Sequence, residues 1–188
     1  MLVNFNLHRY LSITGLLFAI LISSNIKGEE MSEVTEEQKM HHYMGIEMNI
    51  QTWHLLGKEN RNKQDDVHMI NFSKASLYHW GKSHEYQLVN EKRGQWMLSH
   101  VHAVLGKGKE ALSYANETSK ITKKQDLKDY DLAYSYEALA RANAALGNKK
   151  ECAKWLEKTQ EAGTLIQPEE DKKYFISDLE SAPWFDCK

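Results

Sequence analysis

The residues of this 188-residue chain that could carry chemistry are its histidines, its two cysteines and a few arginine and glutamate pairs. Nine histidines raise the question of a metal. His41 and His42 are adjacent and His100 and His102 are two apart, so on a helix neither pair shares a face. No HExxH, CxxC or His/carboxylate cluster occurs, and neither a protein-ligated metal nor a cofactor is expected. Cys152 and Cys187 form no disulfide framework. Cys152 falls where a small residue packs between helices and Cys187 lies in the C-terminal tail, so a buried small thiol and an incidental tail thiol are expected. Leu105-Gly-Lys-Gly-Lys109 lacks the glycine spacing and the Lys-Ser/Thr of a phosphate loop and reads as a hairpin turn. There is no GxSxG. Asn71-Phe-Ser73 and Asn116-Glu-Thr118 fit the glycosylation pattern but sit inside expected helices, so chance explains them. No catalytic residue is nominated, and the balance is against an enzyme.

Composition favours helices. Charged residues make up 27% and hydrophobic ones 41%, with only two prolines, which suits an all-α chain. The net charge of −2, with both signs interleaved, gives no nucleic-acid groove and no polybasic membrane face. Lys128 to Gly163 reads as two amphipathic helices joined at Gly147-Asn148. Leu132, Tyr136, Leu139 and Leu146 recur at helical spacing before the turn, Ala153, Trp155 and Leu156 give an apolar side after it, and Gly163 is a stop signal. Upstream, Thr35-Glu36-Glu37-Gln38 has the form of a capping box. Tyr43, Ile46, Ile50 and Trp53 then share one face of a helix closed by Gly57. A polar loop, Lys58 to Gln64, precedes a helix carrying Met69, Ile70, Phe72, Ala75, Leu77 and Trp80. Two further helices run from Tyr86 or Leu88 to Leu105 and from Lys109 to about Ile121, with Gly94 weakening the first of them. Pro168 with Glu169-Glu170 opens a last helix whose Tyr174, Phe175, Ile176 and Leu179 can cover the preceding one, and Pro183 ends it.

Residues 1–30 admit two readings. His8, Arg9, the apolar run through GLLFAILI and small residues at Ser23, Ser24 and Gly28 have the form of a secretory signal, which implies a secreted or periplasmic protein. Lys27-Gly28-Glu29-Glu30-Met31, however, back-translates to a sequence that readily contains AAAGGAG just before an ATG, the form of a bacterial ribosome-binding site. Translation would then start at Met31 and the protein would be cytoplasmic. The Met31 start is preferred, and no stable membrane span is expected in either case.

An internal comparison organises the rest. Leu98, Ser99, Gly106 and Ala111 stand 41 residues before Leu139, Ala140, Gly147 and Cys152, for example 147 minus 106. A constant offset marks a repeat. With Tyr136 preceding Leu139, these residues resemble the tetratricopeptide-repeat (TPR) pattern of an aromatic, Leu-Gly/Ala, a turn glycine and a small residue in a unit of about 34 residues. The departures are Gln95 at the early aromatic, His102 and Asn143 in place of a tyrosine, no closing proline and a longer spacing. The chain also resembles small bacterial repeat proteins. The resemblance implies an α–α superhelix of antiparallel hairpins, at about 36–80, 88–121 and 130–163, with a capping helix at about 168–181, all in one domain spanning 31–188.

It also implies a concave groove lined by the first helix of each hairpin. Counting back from the turn glycines places Arg93, Trp96, His100 and Val104, and Tyr134, Glu137, Arg141 and Ala145, toward that groove, with Glu47, Gln51 and His54 on the first hairpin. Charged groups, an aromatic and imidazoles on neighbouring helices suit a protein or peptide partner held by its carboxylate or backbone. Replacing Arg93 and Arg141 by alanine is then expected to remove binding with little change in melting temperature. Three alternatives stand beside this. Glu137 and Arg141 could be an i,i+4 surface pair contributing about 0.2–0.5 kcal/mol, with Trp96 as core. Arg93, His100, Glu137 and Arg141 could surround a small anionic molecule in an enzyme or ligand-binding protein. An exposed repeat end could stack on its copy in a homo-oligomer.

Overall fold

A computed structural model describes residues 33–181 and 183–188, so both readings of residues 1–30 lie outside the described residues. Seven helices and no strand occur among the described residues: α1 (Glu36–Leu56), α2 (Lys63–Trp80), α3 (Leu88–Val104), α4 (Gly108–Lys124), α5 (Asp129–Ala145), α6 (Lys149–Thr164) and α7 (Glu169–Glu180).

Local signals set the helix ends. Thr35 Oγ1 accepts from the Gln38 amide at 3.2 Å while Gln38 Oε1 accepts from the Thr35 amide at 3.0 Å, a reciprocal capping box. Asn62 and Asp65 repeat the device at α2, which therefore starts within the polar run that reads as loop. The turn glycines are the clearest case. Gly106 and Gly147 adopt φ of +69° and +73°, a conformation that costs glycine nothing. Lys107 N donates to His102 O at 2.8 Å and Asn148 N to Asn143 O at 2.9 Å, closing the same C-terminal motif on α3 and α5.

The 41-residue repeat continues into the side chains. His102 Nδ1 bonds Leu98 O at 2.7 Å and Asn143 Nδ2 donates to Leu139 O at 2.8 Å. Thr118 and Thr159 hydroxyls donate to the carbonyls of Tyr114 and Trp155 at 3.0 and 2.7 Å. The residues that break the TPR pattern, His102 and Asn143, thus break it in the same way.

The helices pack in adjacent pairs, α1 with α2, α3 with α4 and α5 with α6, and each pair packs on the next; α3 also meets α5, and α7 lies on α5 and α6. Alanine makes α5 the centre: Ala133, Ala138, Ala140, Ala142 and Ala144 are all buried and let neighbouring helices approach closely. α1 differs from its expected pattern. Tyr43 is 61% exposed and Ile50 37%, whereas His41, Gly45 and Thr52 are buried. Gly45 explains the shift. Ser76 Oγ of α2 donates to its carbonyl at 2.7 Å, and the Trp80 indole stands about 3.1 Å from where a Cβ would be, so α2 packs on the small residue instead of the apolar stripe. On α6 Ala153 is likewise exposed, the inner side being Cys152, Leu156 and Thr159.

Gly163 does not stop α6; it lies inside the helix, where a Cβ would meet the Phe175 ring of α7 at 2.4 Å. Gly163→Ala therefore pits a better helix former against a clash with a ring that is only 1% exposed. Overpacking wins, and a net loss of about 1–3 kcal/mol in urea unfolding is expected. An unchanged midpoint would place α7 elsewhere.

Candidate functional site

Six of the sequence-nominated groove residues converge. Trp96 Nε1 of α3 donates to Glu137 Oε2 of α5 at 2.8 Å, and Arg141 Nε donates to Glu137 Oε1 at 2.5 Å. His100 Nδ1 stands 3.6 Å from the same Oε1, and the Tyr134 ring meets Trp96 edge-on at 4.8 Å between centroids. Arg93 lies at the rim, 50% exposed at its side chain, with Nε and Nη2 donating to the two oxygens of Asp131 at 3.1 and 2.9 Å. Trp96 and Glu137 hold equivalent positions in consecutive repeats, as do His100 and Arg141. The repeat itself is what builds the cluster.

Glu47, Gln51 and His54 do not join it, and Val104 and Ala145 are half-buried at the C-terminal ends of α3 and α5. Gln51 Nε2 donates to Glu47 within α1 at 2.7 Å, and His54 is exposed. α1 reaches the cluster through Trp53, whose ring lies 6.0 Å from Trp96 and 6.2 Å from His100. The register counted from Gly57 differs because that glycine closes α1 in the right-handed region, φ −78°, without the positive-φ turn of the later repeats.

The cluster is not open to solvent. Glu137 and Arg141 are fully buried, and Tyr134, His100 and Trp96 nearly so. What covers them is the chain's own C terminus. Arg141 donates to the carbonyls of Asp178 (2.9 Å), Ser181 (3.1 Å) and Pro183 (3.3 Å), and its guanidinium lies over the Trp184 ring at 4.1 Å. The Tyr134 hydroxyl donates to Asp178 Oδ2 at 2.6 Å, and its ring packs edge-on against Phe175 at 5.0 Å. Beyond Trp184, Cys187 forms a disulfide with Cys152 of α6, with 6.3 Å between Cα atoms. The expectation of two free thiols is therefore corrected. Cys152 is buried and small as expected, but the tail folds back across α5 far enough to bring Cys187 to it.

The electrostatics follow from this burial. Burial pushes the Glu137 carboxyl up, but Arg141 and His100 outweigh it and hold it at about 2. Such a carboxylate is a poor base at neutral pH. Burial raises the Asp178 carboxyl, only partly opposed by the Tyr134 hydrogen bond, and raises the Tyr134 phenol as well. At the edge, Lys92 is 1% exposed and donates to Asp131 at 3.1 Å; burial lowers it to about 8 despite that partner. Burial pushes Asp131 up, yet Lys92 and Arg93 bring it below the usual carboxylate range.

Lys92, Asp131, Asp178, Trp184 and the disulfide are absent from the sequence reading. Asp131 had a signal, since the pair Lys92–Asp131 is separated by nearly one repeat. A second histidine contact was also hidden: His41 Nδ1 and His79 Nδ1 approach to 2.8 Å between α1 and α2, so the two rings share one proton. Burial, then nearby His41 and Lys82, lower His79. Among the described residues no group of three His, Cys, Asp or Glu side chains could hold a metal ion, and no helix is long and apolar enough to cross a membrane.

The fold is thus all-helical, with hairpins packed in sequence in the manner of a helical repeat. Compared with known proteins, the chain matches no protein-family model, no curated protein and no solved structure.

Proposed function

We propose that this chain is a TPR-like interaction module whose inner face, formed by α3 and α5, binds a polypeptide segment. The observation that carries the reading is the grip of Arg141 on three main-chain carbonyls of its own C-terminal segment, those of Asp178, Ser181 and Pro183. Main-chain carbonyls are common to every peptide, and a guanidinium anchored by a buried carboxylate is a fixed donor for them. Tyr134 adds a hydroxyl for an acidic side chain, and Arg141 a cationic face for an aromatic one. The small-anion alternative gains nothing comparable, because what Arg141 holds besides Glu137 is main-chain carbonyl oxygen and no anionic group. The Cys152–Cys187 bond favours an oxidising compartment, and so the exported alternative over a cytoplasmic one.

Photo-crosslinking tests the reading. A benzophenone side chain at position 93, on the rim of the cluster, is expected to give a covalent adduct with a polypeptide in cells that express the protein. The same group at position 120, a 72% exposed site on α4, is expected to give none. Equal adducts from both positions, or none from position 93 even in the Cys187→Ser chain, would refute binding at this face.

A further inference from the structure

The segment from Glu169 to Lys188 is held in two different ways. α7 docks through Phe175 and Leu179, both buried, as a helix added to the end of a repeat would. From Asp178 onward the chain is held by contacts a foreign peptide could reproduce: carbonyls on Arg141, an indole beneath its guanidinium and one covalent bond. Trp184 Nε1 and Lys188 Nζ both donate to Leu179 O, at 3.1 and 2.8 Å, so the tail folds onto the end of α7 as a compact plug. Cys187 is half-buried while Cys152 is fully buried. The less buried cysteine is the one on the plug.

We propose that Ser181–Lys188 is a releasable occupant of the α3/α5 face and that Cys152–Cys187 is its redox lock. This rests on the reading of that face as a peptide-binding surface. A dithiol reductant of the thioredoxin class attacks Cys187 Sγ as its thiolate, forming a mixed disulfide. Cys152 leaves as a thiolate and takes a proton. The second thiol of the reductant resolves the mixed disulfide, so the reductant loses two electrons and two protons and each cysteine ends as a thiol. The tail is then held by non-covalent contacts alone, and a segment in trans can compete for Arg141. The partner that fits has the chemistry of the plug it replaces: the C-terminal end of a helix, with open carbonyls, followed within a few residues by a tryptophan or similar aromatic.

The test uses the full chain, oxidised and reduced, with a fluorescein-labelled synthetic peptide of residues 169–188 carrying Cys187→Ser as the probe. Hydrogen exchange reports on the tail in the same samples. Reduction is expected to raise exchange at 181–188 at least tenfold, with α1 to α4 unchanged, and to tighten probe binding at least tenfold. A probe that also carries Trp184→Ala is expected to bind at least tenfold more weakly. Unchanged exchange in the tail on reduction overturns the lock, as does equal probe binding to oxidised and reduced protein. Loss of protection throughout the chain also overturns it, since the bond is then a general staple. A tail that opens without any probe binding refutes the peptide-binding reading instead. The Cys187→Ser full chain should behave as the reduced protein without any reductant; wild-type oxidised behaviour in that variant counts against the lock.

Discussion

Arg141→Ala is expected to destabilise the protein by about 3–5 kcal/mol, and not to leave its melting temperature unchanged as a surface-groove position would. The arginine is fully buried and satisfies Glu137 together with three tail carbonyls. Its removal leaves a buried carboxylate held by the Trp96 indole and faced by His100 at 3.6 Å, and the Trp184 ring without its cation. A buried carboxylate that has lost its guanidinium partner is the costly part. The pH dependence separates that part from the rest. In the wild type Glu137 is held at about 2, below its ordinary 4.5, so the stability it contributes is fully present above about pH 4.5 and is lost as pH falls toward 2. Without Arg141 the carboxyl is raised by burial, and protonation relieves the variant: its stability should rise, relative to wild type, as pH is lowered from 7 to 5. The double variant Glu137→Leu, Arg141→Met should lose less than Arg141→Ala alone, because no buried charge remains. Urea unfolding at both pH values reads all three. If the double variant loses as much as the single and the single shows no acid recovery, the carbonyl grip, and not Glu137, is what Arg141 supplies.

The hairpins from 88 to 163 were legible because their signals are local and repeat. Gly106 and Gly147 mark the turns, and a 41-residue offset carries the register from one to the other, so Trp96, His100, Glu137 and Arg141 could be placed on one face by counting. Their burial could not be read the same way. Whether a groove-facing arginine meets solvent or a carbonyl depends on where a segment some forty residues downstream comes to rest, and nothing in the composition of Ser181–Lys188 marks it as the occupant. The same non-locality hid the disulfide, since two cysteines 35 residues apart give no spacing signal. The first hairpin lies where expected, but its buried face differs for another reason. An apolar stripe at helical spacing predicts a buried face only when a neighbour covers it, and α2 packs instead on Gly45, leaving Tyr43 and Ile50 at the surface. A small residue on a helix can outrank a large one in deciding where a partner lies.

Lys92→Met is expected to stabilise the protein at pH 7, by up to about 3 kcal/mol, and to erase a rise in stability that the wild type shows on the alkaline side. Lys92 sits in the second turn of α3 with its side chain 1% exposed. Burial depresses its ammonium to about 8 from 10.5, the adjacent Arg93 works in the same direction, and Asp131 and Glu137 oppose both only in part. A folded value below the unfolded one means that between about pH 8 and 10.5 the unfolded chain binds more protons, so stability increases with pH across that window. Two phenols then reverse the trend. Burial raises Tyr130 to about 12 and raises Tyr134 as well, so above pH 10 the unfolded chain releases protons that the folded one keeps. Wild-type stability should therefore climb from pH 8, pass a maximum near pH 10 and fall steeply beyond it. The methionine variant keeps the fall and lacks the climb. Asp131 tolerates the change because Arg93 still grips both its oxygens. Urea unfolding from pH 7 to 11 decides the matter: a wild type without the climb, together with a Lys92→Met variant less stable at pH 7, would mean that Asp131 fully compensates the buried ammonium and that the pair is a net support of the α3–α5 contact.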